Sequence, residues 1–320
     1  MPLDVSVDKC SATENEPAAN GHSETSQAAL KVILSFDVEE HHLIEAAVGL
    51  SISPKRMSHY RQRLEVTSRW ILEQLDQRNI KATFFIVGEV AVDNPSLVRD
   101  IHRAGHEIAS HGWNHRRVHH FTPATFRKDV LNSKDALEEL IGEAVVGYRA
   151  PTFSIVRQTA WALDVLAEAG MEYDSSIFPV WHDRYGVPGA PRFPFKARGK
   201  AHEVLELPPA ILRVLGNNLP AGGGGYFRLF PLLLLRRAIN QISKGMPPVA
   251  MLYFHPWEFD TEQDRLPLGW LNRIRTYTGL SRSRKRLVTL LAEHTFVRAV
   301  DVARSLRQNK DTMPSYTMSP

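Results

Sequence analysis

Short apolar runs alternate with helix-forming segments along most of this chain, and this alternation restricts the folds that it can adopt. Lys31–Val38 is a nearly continuous apolar run, typical of a strand that is covered on both faces. Residues 64–75 carry apolar side chains at helical spacing, and residues 82–87 predict a second buried strand. Further strands are predicted near residues 106–110, 148, 173, 204–207 and 249–254, with helices between most of them. Such alternation predicts a parallel sheet, either open or closed into a barrel. Proline and glycine crowd residues 186–225, which predicts long irregular loops around the strand at residues 204–207.

Polar side chains stand where five of the predicted strands end. They are Asp37 with Glu39, His111, Arg149, Asp174 and His255. Barrels and open α/β sheets place their active sites at the carboxyl ends of their strands. The pattern therefore predicts one active site that is assembled from residues far apart in the sequence.

The spacing of His111 and His115 is the best local signal for a metal site. If the backbone forms a helix or a tight loop there, the two imidazoles face the same way and both can bind one metal ion. A third ligand is expected from Asp37-Val38-Glu39, where strand periodicity points two carboxylates to the same face. One of the two carboxylates could bind the metal while the other acts as a general base on water.

Charge and cysteine content argue against several classes of protein. The chain has 320 residues and a net charge of +4, but no basic stripe interleaved with aromatic residues, so nucleic-acid binding is not expected. The densest basic run, residues 282–286, predicts a solvated helix face, with peripheral contact to a membrane surface as the alternative. Cys10 is the only cysteine, which excludes an intramolecular disulfide and is compatible with a reducing compartment.

The N-terminal sequence and the short apolar runs predict where the chain acts. Residues 1–29 are polar, lack the pattern of a signal peptide and predict a flexible tail. The longest apolar run, residues 229–235, is too short to span a bilayer, so no integral membrane segment is expected. We therefore expect a cytoplasmic protein.

Five motifs at these strand ends carry a resemblance to a known family. They are, in chain order, Ser35-Phe36-Asp37-Val38-Glu39, residues 110–115 from Ser110 to His115, Arg149-Ala150-Pro151-Thr152-Phe153, Tyr173-Asp174-Ser175-Ser176, and Leu252-Tyr253-Phe254-His255-Pro256-Trp257-Glu258. The set resembles the polysaccharide deacetylases of the NodB-homology class (carbohydrate esterase family 4). Residues 186–194 and 223–228 resemble insertions of its exosortase-associated (PEP-CTERM) subfamily. The resemblance covers about residues 31–305 and implies a distorted (β/α) barrel of about seven strands. It also implies that residues 30–320 form one deacetylase domain with a subfamily-specific C-terminal extension.

Two positions depart from the family pattern. Many members carry two adjacent aspartates where this chain has Asp37-Val38-Glu39, which leaves Glu39 and Glu40 as alternative metal ligands. The strand face that Glu39 shares with Asp37 favours Glu39. Gly112 stands where Ser or Thr is common, so a hydroxyl that could brace the loop is lost. Neither departure removes an essential chemical group.

The resemblance implies hydrolysis of N-acetyl groups on amino sugars of an exopolysaccharide or of its lipid-linked precursor. Glu39, His111 and His115 would hold a divalent metal, zinc by preference, with cobalt or another divalent ion as the alternative. The implied sugar-binding residues are Thr152, Phe153, Tyr226, Phe227 and Trp257.

The implied catalytic residues are Asp37, Arg149, Asp174 and His255. Asp37 would act as the general base, and His255 would protonate the departing amine. Arg149 is expected to orient Asp37 and to keep it charged. Asp174 is expected to pair with His255 and to keep that imidazole protonated.

Three other functions fit parts of the pattern. A hydrolase of cyclic amides or imides, similar to allantoinases, would use the same fold with little change in catalytic residues. A non-haem iron oxygenase also uses two histidines and one carboxylate, but the α/β alternation and the candidate acid His255 argue against it. A carbohydrate-binding protein without catalysis predicts that a catalytic group is missing, whereas each group is present.

Overall fold

The computed structural model describes residues 1, 29–182, 184–308 and 313–318. The predicted flexible tail lies outside the described residues except at its two ends. The strands are β1 (Lys31–Val38), β2 (Thr83–Ile86), β3 (Glu107–Ser110), β4 (Gly147–Tyr148), β5 (Tyr173–Asp174), β6 (Phe195–Arg198), β7 (Glu203–Glu206), β8 (Ile211–Val214), β9 (Asn217–Pro220), β10 (Val249–Phe254), β11 (Phe296–Val297) and β12 (Ser315–Thr317). The α-helices are α1 (Pro54–Asp76), α2 (Gly88–Asp93), α3 (Pro95–Arg103), α4 (Pro123–Ile141), α5 (Trp161–Glu168), α6 (Gly224–Leu229), α7 (Leu232–Ser243), α8 (Trp270–Tyr277), α9 (Leu280–Glu293) and α10 (Ala299–Gln308). Among the helices of this described part, none is long and apolar enough to cross a membrane.

One curled sheet organises the molecule. Strand β10 lies beside β1, followed by β2, β3, β4, β5 and β7, and these seven strands run parallel. Strands β6 and β12 continue the sheet beyond β7, and β11 pairs with β1. A bridge between Pro209 and Met251 connects the chain just after β7 to β10, so the sheet curls back towards its first strand. The predicted α/β fold with a barrel-like parallel sheet is confirmed.

Both faces of the central strands are buried, as the continuous apolar runs predict. One face forms an apolar cluster inside the curl that includes Ile33, Phe85, Leu205 and Met251. The other face packs against the helices, and Leu34, Phe84 and Leu252 belong to the cluster formed with α1, α3, α7 and α9. Side chains alternate along a strand, so Ser35 and Asp37 follow Ile33 on the inner face, with Asp37 at the carboxyl end.

The expectation of irregular loops across residues 186–225 is only partly right: the predicted strand is β7 and residues 186–194 are irregular, but β6, β8 and β9 were not expected. Strands β6 and β7 form an antiparallel pair there, and β8 and β9 form a separate hairpin. The hairpin turn uses Leu215 and Gly216, both with positive φ, the backbone combination that a tight two-residue hairpin requires. A leucine in the left-handed region is uncommon, so Leu215-Gly216 was not recognised in the sequence as a hairpin turn.

Candidate metal and catalytic site

The carboxyl end of β1 places two carboxylates inside the curl of the sheet. Asp37 and Glu39 are both buried and lie on the same face. Arg149, which follows β4, donates from Nη1 to Asp37 Oδ1 and to Ser35 Oγ at 2.9 Å. It also donates from Nη2 to Ser175 Oγ at 3.0 Å. Because the buried guanidinium is held by several partners, it fixes the orientation of Asp37 and leaves Asp37 Oδ2 facing the cavity residues.

Glu39, His111 and His115 bring three candidate metal-ligand atoms within 4.8 Å of one another. His115 Nε2 contacts Glu39 Oε2, and Trp257 Nε1 donates to Glu39 Oε1 at 3.1 Å. His111 Nδ1 lies 2.8 Å from the carbonyl oxygen of Arg149, so a proton on Nδ1 leaves the Nε2 lone pair for a metal. Two imidazoles and one carboxylate are a donor set that zinc accepts, and the residues present therefore fit a divalent metal.

Glu40 lies outside this cluster. Its carboxylate is 3.1 Å from His42 Nδ1 and accepts from Arg61 Nε at 3.4 Å. Adjacent residues at a strand end point in opposite directions, and the structure places Glu39 rather than Glu40 beside the imidazoles.

A tight loop after β3, rather than a helix, brings the two imidazoles together, with ring centroids 5.2 Å apart. Gly112 and His115 both have positive φ, which makes the turn compact. A Cβ at Gly112 would lie 3.2 Å from Asp129 Oδ2, and this oxygen accepts from the backbone N–H of Trp113 at 3.1 Å. The Asp129 carboxylate therefore braces the loop, in the place of the hydroxyl that the glycine lacks.

His255, which follows β10, has its carboxylate partner three residues later in the chain. His255 Nδ1 lies 3.3 Å from Glu258 Oε2, and His255 Nε2 lies 3.8 Å from Asp37 Oδ2. Glu258 is fully buried and accepts from Arg228 Nε at 2.9 Å. A short 3₁₀ turn at Pro256–Phe259 produces this contact because residues three apart in such a turn lie on one side. Glu258 and Arg228 were not among the predicted site residues, although the closeness of Glu258 to His255 in the sequence was a signal.

Asp174 lies elsewhere in the sheet, and its predicted pairing with His255 is wrong. Asp174 directly follows Tyr173 on β5, and Tyr173 belongs to the cluster inside the curl, so Asp174 points to the other face of the sheet. Its Oδ1 accepts from Ser176 Oγ at 2.5 Å, and its carboxyl group lies within hydrogen-bonding distance of Glu206. Burial raises the pKa of Asp174 to about 6 and raises the pKa of Glu206 well above its ordinary value. The two groups therefore share a proton, and a catalytic role for Asp174 stays a prediction.

The buried groups around the cavity differ in charge at neutral pH. Burial alone would lower the pKa of His255, but the carboxylates around it, chiefly Glu39 and Glu258, outweigh burial and raise this pKa to about 9. Burial lowers the pKa of His111 to about 4, which keeps the imidazole neutral, as a metal ligand must be. Burial would raise the pKa of Glu39, but His115 and His255 hold it well below the ordinary value. The site thus combines a protonated imidazole, a neutral imidazole and an ionised carboxylate.

A cavity of about 680 Å³ lies above these residues. Its wall contains four of the five predicted sugar-binding residues, namely Thr152, Phe153, Tyr226 and Trp257. The prediction for Phe227 is wrong, because its side chain is 3% exposed and its ring centroid lies 4.7 Å from that of Phe254 in the core. Successive residues on helix α6 point in different directions, so Tyr226 faces the cavity while Phe227 faces inward.

A second cavity, of about 1290 Å³, adjoins the first. The two share five wall residues, which are Glu45, Thr152, Tyr185, Gly225 and Tyr226. Trp181, which is 79% exposed, and Arg275 also line the second cavity. The cavities together form one continuous groove. The residues between 181 and 185 carried no motif, so sequence reasoning did not find this wall.

Two family models match the chain. A model described as "Polysaccharide deacetylase" matches residues 63–173, and a model described as "Domain of unknown function (DUF3473)" matches residues 175–304. Together they extend from within α1 to α10.

Among curated proteins, the chain is similar to two enzymes that act on N-acetylated saccharides. It is 34% identical over 102 residues to the peptidoglycan-N-acetylglucosamine deacetylase of Bacillus cereus, a match that covers 32% of this chain and 37% of that enzyme. It is 30% identical over 97 residues to the chitooligosaccharide deacetylase of Bradyrhizobium sp., covering 30% of this chain and 42% of that enzyme. The matched part is thus less than half the length of these relatives.

Solved structures resemble nearly the whole fold. A crystal structure from Mycobacterium smegmatis, provisionally named a polysaccharide deacetylase, is 25% identical with a TM-score of 0.61, covering 92% of this chain and 96% of that one. An allantoinase structure is 19% identical with a TM-score of 0.56, covering 89% of this chain and 92% of that one. The second likeness concerns the fold alone.

Proposed function

We propose that this chain, whose residues 63–173 match the polysaccharide deacetylase model, hydrolyses N-acetyl groups on amino sugars of a saccharide polymer with the help of a divalent metal. One observation carries the proposal. The candidate ligands Glu39, His111 and His115 share a single cavity with a braced carboxylate, Asp37, and a protonated imidazole, His255. Amide hydrolysis needs a site for a Lewis acid, a general base and a general acid, and these residues could provide all three.

Glu39, His111 and His115 would hold the metal, zinc by preference of this donor set and cobalt as the alternative. A divalent cation bound there supplies a Lewis acid beside the acetyl carbonyl. The backbone amide near Thr152, which also lines the cavity, would add a hydrogen bond to the developing oxyanion.

Asp37 and His255 divide the proton transfers. Asp37 Oδ2 takes a proton from the attacking water as the water oxygen bonds to the carbonyl carbon. His255 Nε2 gives its proton to the sugar nitrogen as the carbon–nitrogen bond breaks, which yields acetate and a free amine. The Nδ1–H of His255 donates to Glu258 throughout and fixes the orientation of the ring. His255 Nε2 and Asp37 Oδ2 lie 3.8 Å apart, which is longer than a hydrogen bond, so a bridging water would return the proton to the acid after turnover.

We propose an exopolysaccharide or its lipid-linked precursor as the natural substrate. The second cavity extends the groove beyond the reacting group, which supports a polymer over a small cyclic amide. The relatives named above act on peptidoglycan N-acetylglucosamine and on chitooligosaccharides, which supports an N-acetylglucosamine unit at the cleaved position. We further propose that the chain acts in the cytoplasm, where it would meet precursors rather than a secreted polymer.

The test is acetate release from N-acetylglucosamine oligomers by protein that has been stripped of metal and refilled with zinc or cobalt. We expect release only with metal, and we expect Asp37→Asn to lower it by about 10²–10⁴-fold while still binding metal. His111→Ala is expected to lose both metal and activity. Glu39→Gln and Glu40→Gln form a matched pair, because only the first removes a carboxylate from the imidazole cluster.

The outcomes separate the parts of the proposal. If the wild-type protein binds one metal ion but releases no acetate, the metal site is supported and these oligomers are excluded as the substrate. Release of product from a small cyclic ureide instead would favour the allantoinase-like function. Wild-type protein that binds no divalent metal would overturn the proposed mechanism.

A further inference from the structure

Exposed apolar side chains lie on α8 and α6, two helices that line the second cavity, and on the turn after α6. Helix α8 presents Trp270, Leu271 and Ile274 to solvent, with Trp270 70% exposed. The turn between α6 and α7 presents Leu229 and Phe230, and Leu233, 61% exposed, follows within α7. Monomeric proteins seldom expose contiguous apolar surface of this kind without a binding role.

These two apolar stretches form one surface. Leu229 and Arg275, one from each stretch, both line the second cavity. The guanidinium of Arg228 joins the stretches because it donates to the carbonyl oxygens of Thr276 at 2.6 Å and Thr278 at 3.1 Å, at the end of α8. The surface therefore borders the groove.

The β8–β9 hairpin extends this surface. Leu219 of the hairpin and Phe230 line the same small apolar pocket, so the two lie close together. The tip of the hairpin is Leu215, which is 96% exposed. Leu215 therefore has no packing role among the described residues.

The charge around this surface is mainly basic. Together, α6, α7, α8, α9 and the hairpin contain ten Lys and Arg residues and one acidic residue, Glu293, which pairs with Arg236. The chain as a whole has a net charge of only +4, so the basic excess is concentrated here. Arg273 and Arg275 flank Ile274 on α8. Arg282 lies one helical turn before Arg286, which donates to the backbone of Phe230.

We propose that this surface docks on an anionic membrane. We call it the apolar-basic face, and it consists of Leu229, Phe230, Leu233, Trp270, Leu271 and Ile274 with Arg273, Arg275 and Arg282. Its apolar side chains enter the interfacial layer of the lipids, and its arginines contact anionic headgroups. Charge complementarity favours this occupant over a second copy of the chain, since a symmetric dimer through this face would set arginines against arginines. Docking would place the mouth of the groove at the bilayer surface.

This inference goes beyond the proposed function and does not depend on it. Membrane binding can be measured without any turnover. If the chain binds vesicles but releases no acetate, membrane docking is supported and the proposed activity is rejected. If it releases acetate but does not bind vesicles, the activity is supported and membrane docking is rejected.

The test is sedimentation of the full chain with vesicles of phosphatidylcholine containing about 30% phosphatidylglycerol, compared with pure phosphatidylcholine. The double variant Trp270→Ser/Ile274→Ser removes apolar side chains that would enter the lipid layer. The double variant Arg273→Gln/Arg282→Gln removes two positive charges from the same face. Val92→Ser/Lys128→Gln is the matched control, because both residues are exposed on helices that do not border the groove. Thermal unfolding of each variant and acetate release from a soluble oligomer, both expected to match wild type, exclude misfolding.

We expect the wild type and the control variant to bind the anionic vesicles and to bind the neutral vesicles only weakly. The arginine variant should lose about 25-fold in partition coefficient at low salt, from about fivefold per cation. The apolar variant should lose about tenfold or more, and about 1 M salt should release wild type. No binding to anionic vesicles, equal binding to neutral ones, or an equal loss in the control would overturn the proposal. A wild-type dimer that Trp270→Ser/Ile274→Ser converts to a monomer, without vesicle binding, would assign the face to self-association and overturn it as well.

Discussion

The buried pair of Asp174 and Glu206 makes a specific prediction about stability and pH. Both side chains are fully buried, Asp174 Oδ1 accepts from Ser176 Oγ, and Glu206 Oε1 accepts from the N–H of Ile177 at 3.0 Å. The other two oxygens, Asp174 Oδ2 and Glu206 Oε2, meet no donor among the described residues. A proton held between the two carboxyl groups satisfies both oxygens, so the folded protein should retain this proton more strongly than the unfolded chain.

The magnitude follows from the shift in pKa. Burial raises the pKa of Asp174 from 3.8 to about 6. A rise of about two units corresponds to about 3 kcal/mol at roughly 1.4 kcal/mol per unit. Because the pKa is raised in the folded state, this stabilisation is complete below the unfolded pKa and is lost as the pH rises through about 6. Other buried carboxylates whose pKa is lowered, such as Glu258, act in the opposite sense at acid pH.

Asp174→Asn isolates the effect of this pair. The asparagine keeps an oxygen for Ser176 Oγ and offers an N–H to Glu206 Oε2, but it does not titrate. Relative to wild type, the variant should therefore gain about 3 kcal/mol in free energy of unfolding between about pH 4 and about pH 7.5. Urea unfolding followed by tryptophan fluorescence at both pH values measures this difference.

Asp135→Asn, at an exposed aspartate on α4, is the matched control and should show no such change. An Asp174→Asn variant that is destabilised equally at both pH values would refute the reasoning, since no protonation difference would then accompany folding. Acetate release by the same variant tests separately whether Asp174 is catalytic. An unchanged rate would confine Asp174 to the structural pair.

Two further substitutions test the packing around the site. Glu258→Gln should lower acetate release and should lower the free energy of unfolding by about 3–5 kcal/mol, because it leaves the buried guanidinium of Arg228 without its charge partner. Its control is Glu262→Gln, at an exposed position, which should change neither acetate release nor the free energy of unfolding. Gly147→Ala should lower the free energy of unfolding by about 1–3 kcal/mol in urea, because its Cβ would lie 2.2 Å from the hydroxyl of the β5 tyrosine. Gly269→Ala is its control, with no atom near the added carbon, and an equal loss in both glycine variants would argue against the steric explanation.

The parts of the site that depend on strand periodicity were predictable from the sequence. Side chains alternate along β1, so Asp37 and Glu39 had to share a face and Glu40 had to point away. The carboxyl ends of parallel strands meet at one edge, so His111, Arg149 and His255 had to lie near them. These inferences need only local geometry and the direction of the strands.

The ion-pair partners were not predictable in the same way. Asp174 stands at a strand end like the others, but its neighbour Tyr173 faces the inside of the curl, so Asp174 faces the other side of the sheet, and only the fold shows which of the two residues points inward. Glu258 takes its place through a local 3₁₀ turn, and Arg228 reaches Glu258 from helix α6. Which carboxylate meets which cation depends on tertiary packing, and single motifs carry no information about it.

The pairing of β1 with β10 explains why the site needs both matched regions. Phe36 pairs with Phe254, so the next residues along the two parallel strands, Asp37 and His255, stand side by side at the same sheet edge. The model "Polysaccharide deacetylase" covers His111, whereas His255 lies in the region matched only by the domain of unknown function. Asp37 precedes both matched regions. The proposed base, the candidate metal ligands and the proposed acid thus come together only when the last parallel strand closes on the first, and the region of unknown function would supply the proton donor.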